Sequence, residues 1–155
     1  MDGDRRRAAV VALGELGRSP DYRDRADAGH GLAGFAEMPE AVRPLLELVL
    51  DPDDTFVTLV TARAVLRRKD RAGLRIVASA LATADENRSD WIHTAIVDVF
   101  GIFAIDRDDA MRLCEEMSRD ADGHVALGAR QLHEILRAID PVLRPSQPAL
   151  GDSTE

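Results

Sequence analysis

The stretch formed by residues 41–66, AVRPLLELVLDPDDTFVTLVTARAVL, constrains the fold more than any other part of the chain. Pro52 cannot continue a helix that precedes it, and Asp53 or Asp54 can cap the free N–H groups of a helix that follows. The stretch therefore predicts two helices joined by a short acidic turn. Apolar residues on the first helix recur at the spacing of one buried face: Val42, Leu45, Leu46, Val49 and Leu50.

The rest of the chain repeats this arrangement. Apolar stripes at helical spacing predict further helices over residues 5–17, 21–38, 70–84, 91–105, 109–118 and 123–139, with a polar break at 85–90. An aspartate precedes the second helix of each predicted pair, and the successive separations of 33, 36 and 32 residues fall in the period range of helical solenoids. The four residues are Asp21, Asp54, Asp90 and Asp122.

Composition agrees with helical packing. Of the 155 residues, 45% are hydrophobic but only 4% are aromatic, so the apolar side chains are mainly Ala, Val, Leu and Ile. We expect one all-α domain over residues 4–140, followed by a Pro-rich disordered tail over 141–155. The most apolar predicted helix, 91–105, should lie at the centre of the core. Its most buried residues are expected to be Ile96, Val99, Phe100 and Phe103.

Residues 41–66 resemble one full unit of the HEAT repeat family, which forms armadillo-like α-solenoids. The first helix has an internal proline, Pro44, an acid-proline turn follows, and the second helix of small residues ends near Val65 and Leu66. The segments DRADAGHGLAGFA (24–36) and RRAAVVALGEL (6–16) are similar to the second-helix pattern of the family. Arg25 stands where the family usually has a basic residue, whereas Arg68 stands where an inward leucine is expected.

The resemblance implies a short right-handed α-solenoid of about four antiparallel helix pairs. It also implies a non-catalytic protein-binding module, either an adaptor or scaffold or an immunity-type protein that occupies its partner's surface. HEAT-like proteins also include bilin-chromophore lyases and alkylbase DNA glycosylases, so an enzyme or enzyme subunit is the alternative. For a glycosylase, Asp98 is the one candidate catalytic acid, and Tyr22 and Trp91 are the amphipathic aromatic residues.

Net charge and cysteine content limit the classes of partner and binding site that the chain can have. A net charge of -8 and a pI near 5.0 oppose general binding to a phosphate backbone, so a protein partner is favoured over nucleic acid. A single cysteine, Cys114, excludes an internal disulfide and a multi-cysteine metal site. No run approaches membrane-spanning length, and a cytoplasmic location is the expectation. The sequence does not specify the oligomeric state.

Two motifs are better explained by structure than by ligand binding. Residues 29–34, GHGLAG, match a dinucleotide-binding pattern, but the charged segment before them cannot be a buried parallel strand. Residues 118–123, SRDADG, resemble the start of a calcium loop, yet Ala129 stands where the bidentate Glu is needed. The four histidines show no metal-ligand spacing. We therefore predict no cofactor, no metal and no catalytic residue.

The candidate binding surface follows from aligning the second helices on Asp24, Val57, Ile92 and Val125. Six residues later each helix carries a polar side chain, and this column should line one exposed edge of the stack. An internal ladder, in which Arg63 pairs with Asp98, is the alternative role. The predicted partner-binding residues are His30, Arg63, Arg67, Asp98, Arg130, Gln131 and Glu134.

One basic cluster offers a second surface. It is either solvated helix surface or an electrostatic patch for a partner. Its members are Arg63, Arg67, Arg68, Lys69, Arg71 and Arg75. An acidic segment balances it, with Asp106, Asp108, Asp109, Glu115, Glu116, Asp120 and Asp122.

Overall fold

A computed structural model describes residues 2–146, and these residues form eight helices joined by short turns. None of these helices is both long and apolar enough to span a membrane. Of the predicted tail, 141–146 are described and 147–155 lie outside the described residues. The helices are α1 (Gly3–Leu16), α2 (Tyr22–Ala33), α3 (Pro39–Val49), α4 (Thr55–Leu66), α5 (Arg71–Thr83), α6 (Glu86–Phe100), α7 (Ala104–Met117) and α8 (Gly123–Ala138).

Aspartate caps start most of the helices that the acidic turns predict. The carboxylates of Asp21, Asp54 and Asp122 each accept a hydrogen bond from a backbone N–H in the first turn of α2, α4 and α8. The prediction for Asp90 is wrong, because α6 begins five residues earlier and Asp85 caps it by accepting from the N–H of Arg88. The first turn of α6 lies largely at the surface and therefore carries no apolar periodicity.

The helices pack in two series. One consists of α2, α4 and α6, which lie against one another in that order, and the other of α1, α3, α5 and α7. The last helix departs from this order, because α8 packs mainly against α5 and α7 and touches α6 less closely. Ile96, Val99 and Phe100 on α6 are buried, as predicted.

Two residues predicted to face inward are exposed. Phe103 is 46% exposed because α6 ends at Phe100, and Gly101 then turns the chain into α7, which begins at Ala104. Val42 is also exposed, since the buried stripe of α3 is rotated relative to the prediction. That stripe consists of Ala41, Leu45, Leu48 and Val49.

The contact between α5 and α8 requires a glycine. A Cβ added at Gly128 would overlap the backbone carbonyl of Ala78 on α5. Because backbone cannot move aside as a flexible side chain can, we expect Gly128→Ala to lower the free energy of unfolding by about 1 to 3 kcal/mol. Chemical denaturation measures this change.

Gly14 on α1 supplies the matched control. Its nearest neighbour for an added Cβ is the side chain of Pro44 at 4.0 Å. Gly14→Ala should therefore raise stability by about 0.5 to 1 kcal/mol through helix propensity alone. Equal effects at Gly14 and Gly128 would show that the α5–α8 contact is looser than described.

Candidate functional site

The candidate site is the exposed side of α2, α4 and α6. The opposite side of these helices faces the core, where Leu32, Val57 and Ile96 are fully buried. The outer side carries the first three residues of the predicted column. His30 and Asp98 are exposed, and Arg63 is partly exposed.

The structure brings two column residues together. Nη2 of Arg63 on α4 donates to Oδ2 of Asp98 on α6 over 2.7 Å. The side chains are 29% and 42% exposed, so solvent weakens their attraction. This contact is the one that an internal ladder requires. The Nε of Arg63 is buried and finds no hydrogen-bond partner among residues 2–146.

His30 and Arg67 remain open to solvent on the same side. Within residues 2–146, neither side chain forms a hydrogen bond or an ion pair. Arg67 is the C-cap residue of α4 and stands one turn beyond Arg63. An exposed guanidinium with no internal partner can bind a carboxylate on another molecule without first breaking a contact.

The other three predicted residues form a separate group on α8. Nη1 of Arg130 donates weakly to the carbonyl oxygen of Ser118 over 3.4 Å, and Glu134 pairs with Arg137 at 3.0 Å. Gln131 is exposed. Arg130 and Glu134 line a groove of about 380 Å³ between α7 and α8, where Nε2 of His133 lies 3.2 Å from Glu115. Because α8 packs mainly on α5 and α7, no ion pair within residues 2–146 links this group to Arg63 or Asp98.

An aromatic row crosses the outer side of α2, α4 and α6. Tyr22, Phe56 and Trp91 are 44%, 49% and 38% exposed, and they are three of the six aromatic residues in the chain. The rings of Tyr22 and Phe56 meet edge to face with centroids 6.0 Å apart. Phe56 is not among the residues predicted from sequence. Its position in the repeat could have identified it. Phe56 stands one residue before the aligned residue Val57, just as Trp91 stands one residue before Ile92.

Ion pairs neutralise most of the basic cluster. Arg63 pairs with Asp98 on α6, and four other members of the cluster each form an ion pair with a residue distant in sequence. Arg68 also donates from Nη1 to the carbonyl oxygen of Ala33, which explains a basic residue where a leucine is expected. Arg67 is the member that forms no ion pair within residues 2–146. The other pairs are Arg68 with Glu37 and Asp70, Lys69 with Asp106, Arg71 with Glu116, and Arg75 with Asp120.

A buried ion pair joins the turns at one end of the helices. Nε and Nη2 of Arg25 donate to the two carboxylate oxygens of Asp51 at 2.7 and 3.2 Å, and both residues are less than 9% exposed. Burial alone would raise the pKa of Asp51, but hydrogen bonds from Arg25 and from the N–H groups of Asp54 and Asp53 hold that pKa below its usual value. Arg88 on α6 donates to the carbonyl oxygen of Asp51, so α2, α6 and the turn between α3 and α4 meet at this cluster.

The sequence motifs occupy structural positions. Gly29 and Gly31 lie within α2, where they face the side chains of Thr61 and Leu13 rather than opening a helix. Cys114 is fully buried, and this burial raises the pKa of its thiol to about 12, so its reactive thiolate is scarce at neutral pH. Within residues 2–146, no group of three or more histidine, cysteine or acidic side chains is arranged to hold a metal ion.

Comparisons of this chain with protein-family models, with curated proteins and with solved structures find no match.

Proposed function

We propose that this chain is a protein-binding HEAT-like repeat module whose partner docks on the outer side of α2, α4 and α6. The proposed architecture is a short right-handed solenoid in which these three helices line the binding side. Its support is the helix order, because α2, α4 and α6 pack successively, as do α1, α3, α5 and α7. The last pair departs from the regular stack, since α8 turns onto α5.

The aromatic row carries the proposal. Tyr22 and Phe56 lie at the starts of α2 and α4, Trp91 lies in the second turn of α6, and each exposes more than a third of its surface. Large aromatic side chains bury much apolar area while losing little conformational entropy, which makes Trp and Tyr frequent energetic centres of protein interfaces. In a chain with only six aromatic residues, a row of three exposed ones favours a binding role over a role in the core.

Polar and charged groups next to this row define the partner chemistry. His30, Arg67 and the Arg63–Asp98 pair lie toward the other ends of the same helices. A partner that combines an apolar strip with carboxylates could bury the first against the aromatic row and pair the second with Arg67. Charge pairing of this kind selects partners and accelerates association more than it adds affinity.

Charge reversal tests the proposal. With the tagged chain used to capture its partner, the double variant Arg63→Glu/Arg67→Glu is expected to abolish capture while the melting temperature changes little. The reason is that a partner carboxylate would then face two negative charges. Arg67→Glu alone should weaken capture at least about tenfold. This single variant leaves the contact between Arg63 and Asp98 intact.

Arg43 provides the matched control. Its side chain is 88% exposed on α3, which belongs to the other helix series, and within the part of the chain that the structure describes its one ion pair is with Glu47. Arg43→Glu changes net charge as Arg67→Glu does, and it should leave capture unchanged. If Arg67→Glu retains full capture, or if capture is lost only through unfolding, the charged groups have a structural role. A chromophore or nucleic acid that copurifies with the chain would instead favour the enzyme alternative.

A further inference from the structure

The first helix makes little apolar contact with the rest of the fold. Of the 14 residues of α1, only Val10 is buried, whereas each of the other helices within residues 2–146 buries at least four residues. Leu13 adds one close contact, because a Cβ added at Gly31 on α2 would lie 2.9 Å from its Cδ2 atom. Apolar burial is the main favourable contribution to helix docking, so we expect α1 to be the most weakly docked of these helices.

The interface between α1 and α3 is loosely packed. Two adjoining cavities of about 300 and 320 Å³ lie along it, and Gly14 on α1 and Pro44 on α3 line both of them. The nearest atom to a Cβ added at Gly14 would be Cγ of Pro44, 4.0 Å away. Atoms that face such spaces lack the dispersion contacts that closely packed helices share. The second interface of α1 therefore adds little to its docking.

Charged contacts supply much of the remaining attachment. The guanidinium of Arg6 pairs with Glu37 and lies 5.2 Å from the ring centroid of Phe35, and Arg7 lies 3.5 Å from Glu40. The side chains of these two ion pairs are between 33% and 63% exposed, so dissolved salt screens their attraction. The docking of α1 should therefore weaken as ionic strength rises.

The sequence of α1 favours a helix only weakly when the helix is not docked. Asp2 is the N-cap residue, but its side chain accepts no hydrogen bond from the first turn, and Gly14 lies inside the helix. The three arginines at 5–7 lie near the positive end of the helix dipole, where cations are unfavourable. An isolated helix of this length is marginal in water. Undocking should therefore expose the backbone amides of α1 to solvent.

We propose that α1 is a releasable helix, which undocks from α2 and α3 as one unit while the other helices stay folded. The buried pair of Arg25 and Asp51 joins α2 to the turn after α3 without any contribution from α1. Release uncovers Gly31, Phe35 and Pro44, which α1 otherwise contacts. Ionic strength sets how often this surface opens. This inference does not depend on the proposed partner binding.

Amide hydrogen exchange of the full chain, followed for each residue by NMR, tests the proposal. In about 20 mM NaCl the amides from Val10 to Leu16 should share one protection factor, at least about tenfold below that of the central amides of α4. In about 500 mM NaCl the protection factor of α1 should fall at least about threefold further, because both ion pairs are then screened. The protection factors of α2 and α4 should change less.

Arg6→Gln tests the charged attachment. It removes the ion pair with Glu37 and the contact with Phe35, so in about 20 mM NaCl it should lower the protection factor of α1 at least about threefold. The remaining salt dependence should be smaller than in the wild-type chain. Arg112→Gln is the matched control, since the side chain of Arg112 is 72% exposed on α7 and pairs with Asp109 on the same helix. It changes the net charge equally and should leave α1 unaffected.

Four results would overturn the proposal. The first is equal protection of α1 and α4. The second is protection that declines steadily from Leu16 toward Gly3, which would show fraying of a helix end instead of release as a unit. The third is a loss of protection in α2 that accompanies the loss in α1, because the two helices would then open together. The fourth is an unchanged protection factor in Arg6→Gln, or an equal decrease in Arg112→Gln.

Discussion

Replacing Arg25 by Ala is expected to lower the free energy of unfolding by about 3 to 5 kcal/mol, because it leaves the buried carboxylate of Asp51 without its charge partner. Asp51 is 2% exposed and cannot recover water in the folded state. The guanidinium of Arg25 also donates from Nη1 to the carbonyl oxygens of Ser19 and Pro20. Its removal therefore disconnects the turn before α2 from the turn after α3. Urea denaturation of the two proteins measures the loss.

An exposed pair of the same chemistry provides the comparison. Arg43 and Glu47 lie one turn apart on α3 at 3.0 Å, with side chains 88% and 60% exposed. Arg43→Ala should cost less than about 0.5 kcal/mol, since water and mobile ions replace that contact at little cost. A loss below about 1 kcal/mol for Arg25→Ala would mean that Asp51 is solvated or re-paired in the variant.

The pH dependence of stability gives the same prediction a second measurement. The pKa of Asp51 in the folded protein is held below its usual value, which is near 3.9 for an unfolded chain. A lowered carboxyl pKa contributes stability above the unfolded value, and this contribution is lost as the pH falls through the folded value. Wild-type stability should therefore drop more steeply in acid than that of Arg25→Ala. Carboxyl groups shared by both proteins cancel in this comparison.

Local sequence signals were sufficient for helix content and for most helix starts. Capping by Asp21, Asp54 and Asp122 depends on a side chain and a backbone N–H two residues later, so the chain alone predicts it. The start of α6 could not be predicted in this way. Its first turn is largely exposed and polar, and nothing local distinguishes that turn from a loop. Asp85 and Arg88 carry the missed cap.

Long-range contacts explain the error at Phe103. The run from Val97 to Ile105 is apolar enough to read as a continuing helix. In the structure the chain turns after Phe100, and the backbone on either side of Phe103 forms hydrogen bonds with the backbone of Leu143. Leu143 lies 40 positions after Phe103 in the sequence. Backbone pairing between residues so far apart in the sequence produces no periodic pattern of apolar residues, so the sequence does not reveal it.

The candidate site was predictable where the repeat period holds. Alignment of α4 with α6 places Arg63 beside Asp98, 35 residues later, and the structure has their ion pair at 2.7 Å. The same alignment places Gln131 next in the column, but α8 packs mainly against α5 and α7. The bare backbone at Gly128 permits this packing, because it lets α8 approach Ala78 closely. Helix periodicity alone cannot reveal which neighbour such a glycine will contact.

Replacing Phe100 by Ala is expected to cost about 3 to 5 kcal/mol, because it removes the largest fully buried side chain and leaves a cavity. The cavity cannot collapse easily, since α6 is packed against α4, α5, α7 and α8. Phe56→Ala is the matched control. Phe56 is 49% exposed and its ring packs edge to face with Tyr22, so its removal should cost about 1 kcal/mol or less. Denaturant unfolding of both variants measures the difference, and a loss below about 1 kcal/mol for Phe100→Ala would contradict the central position of α6.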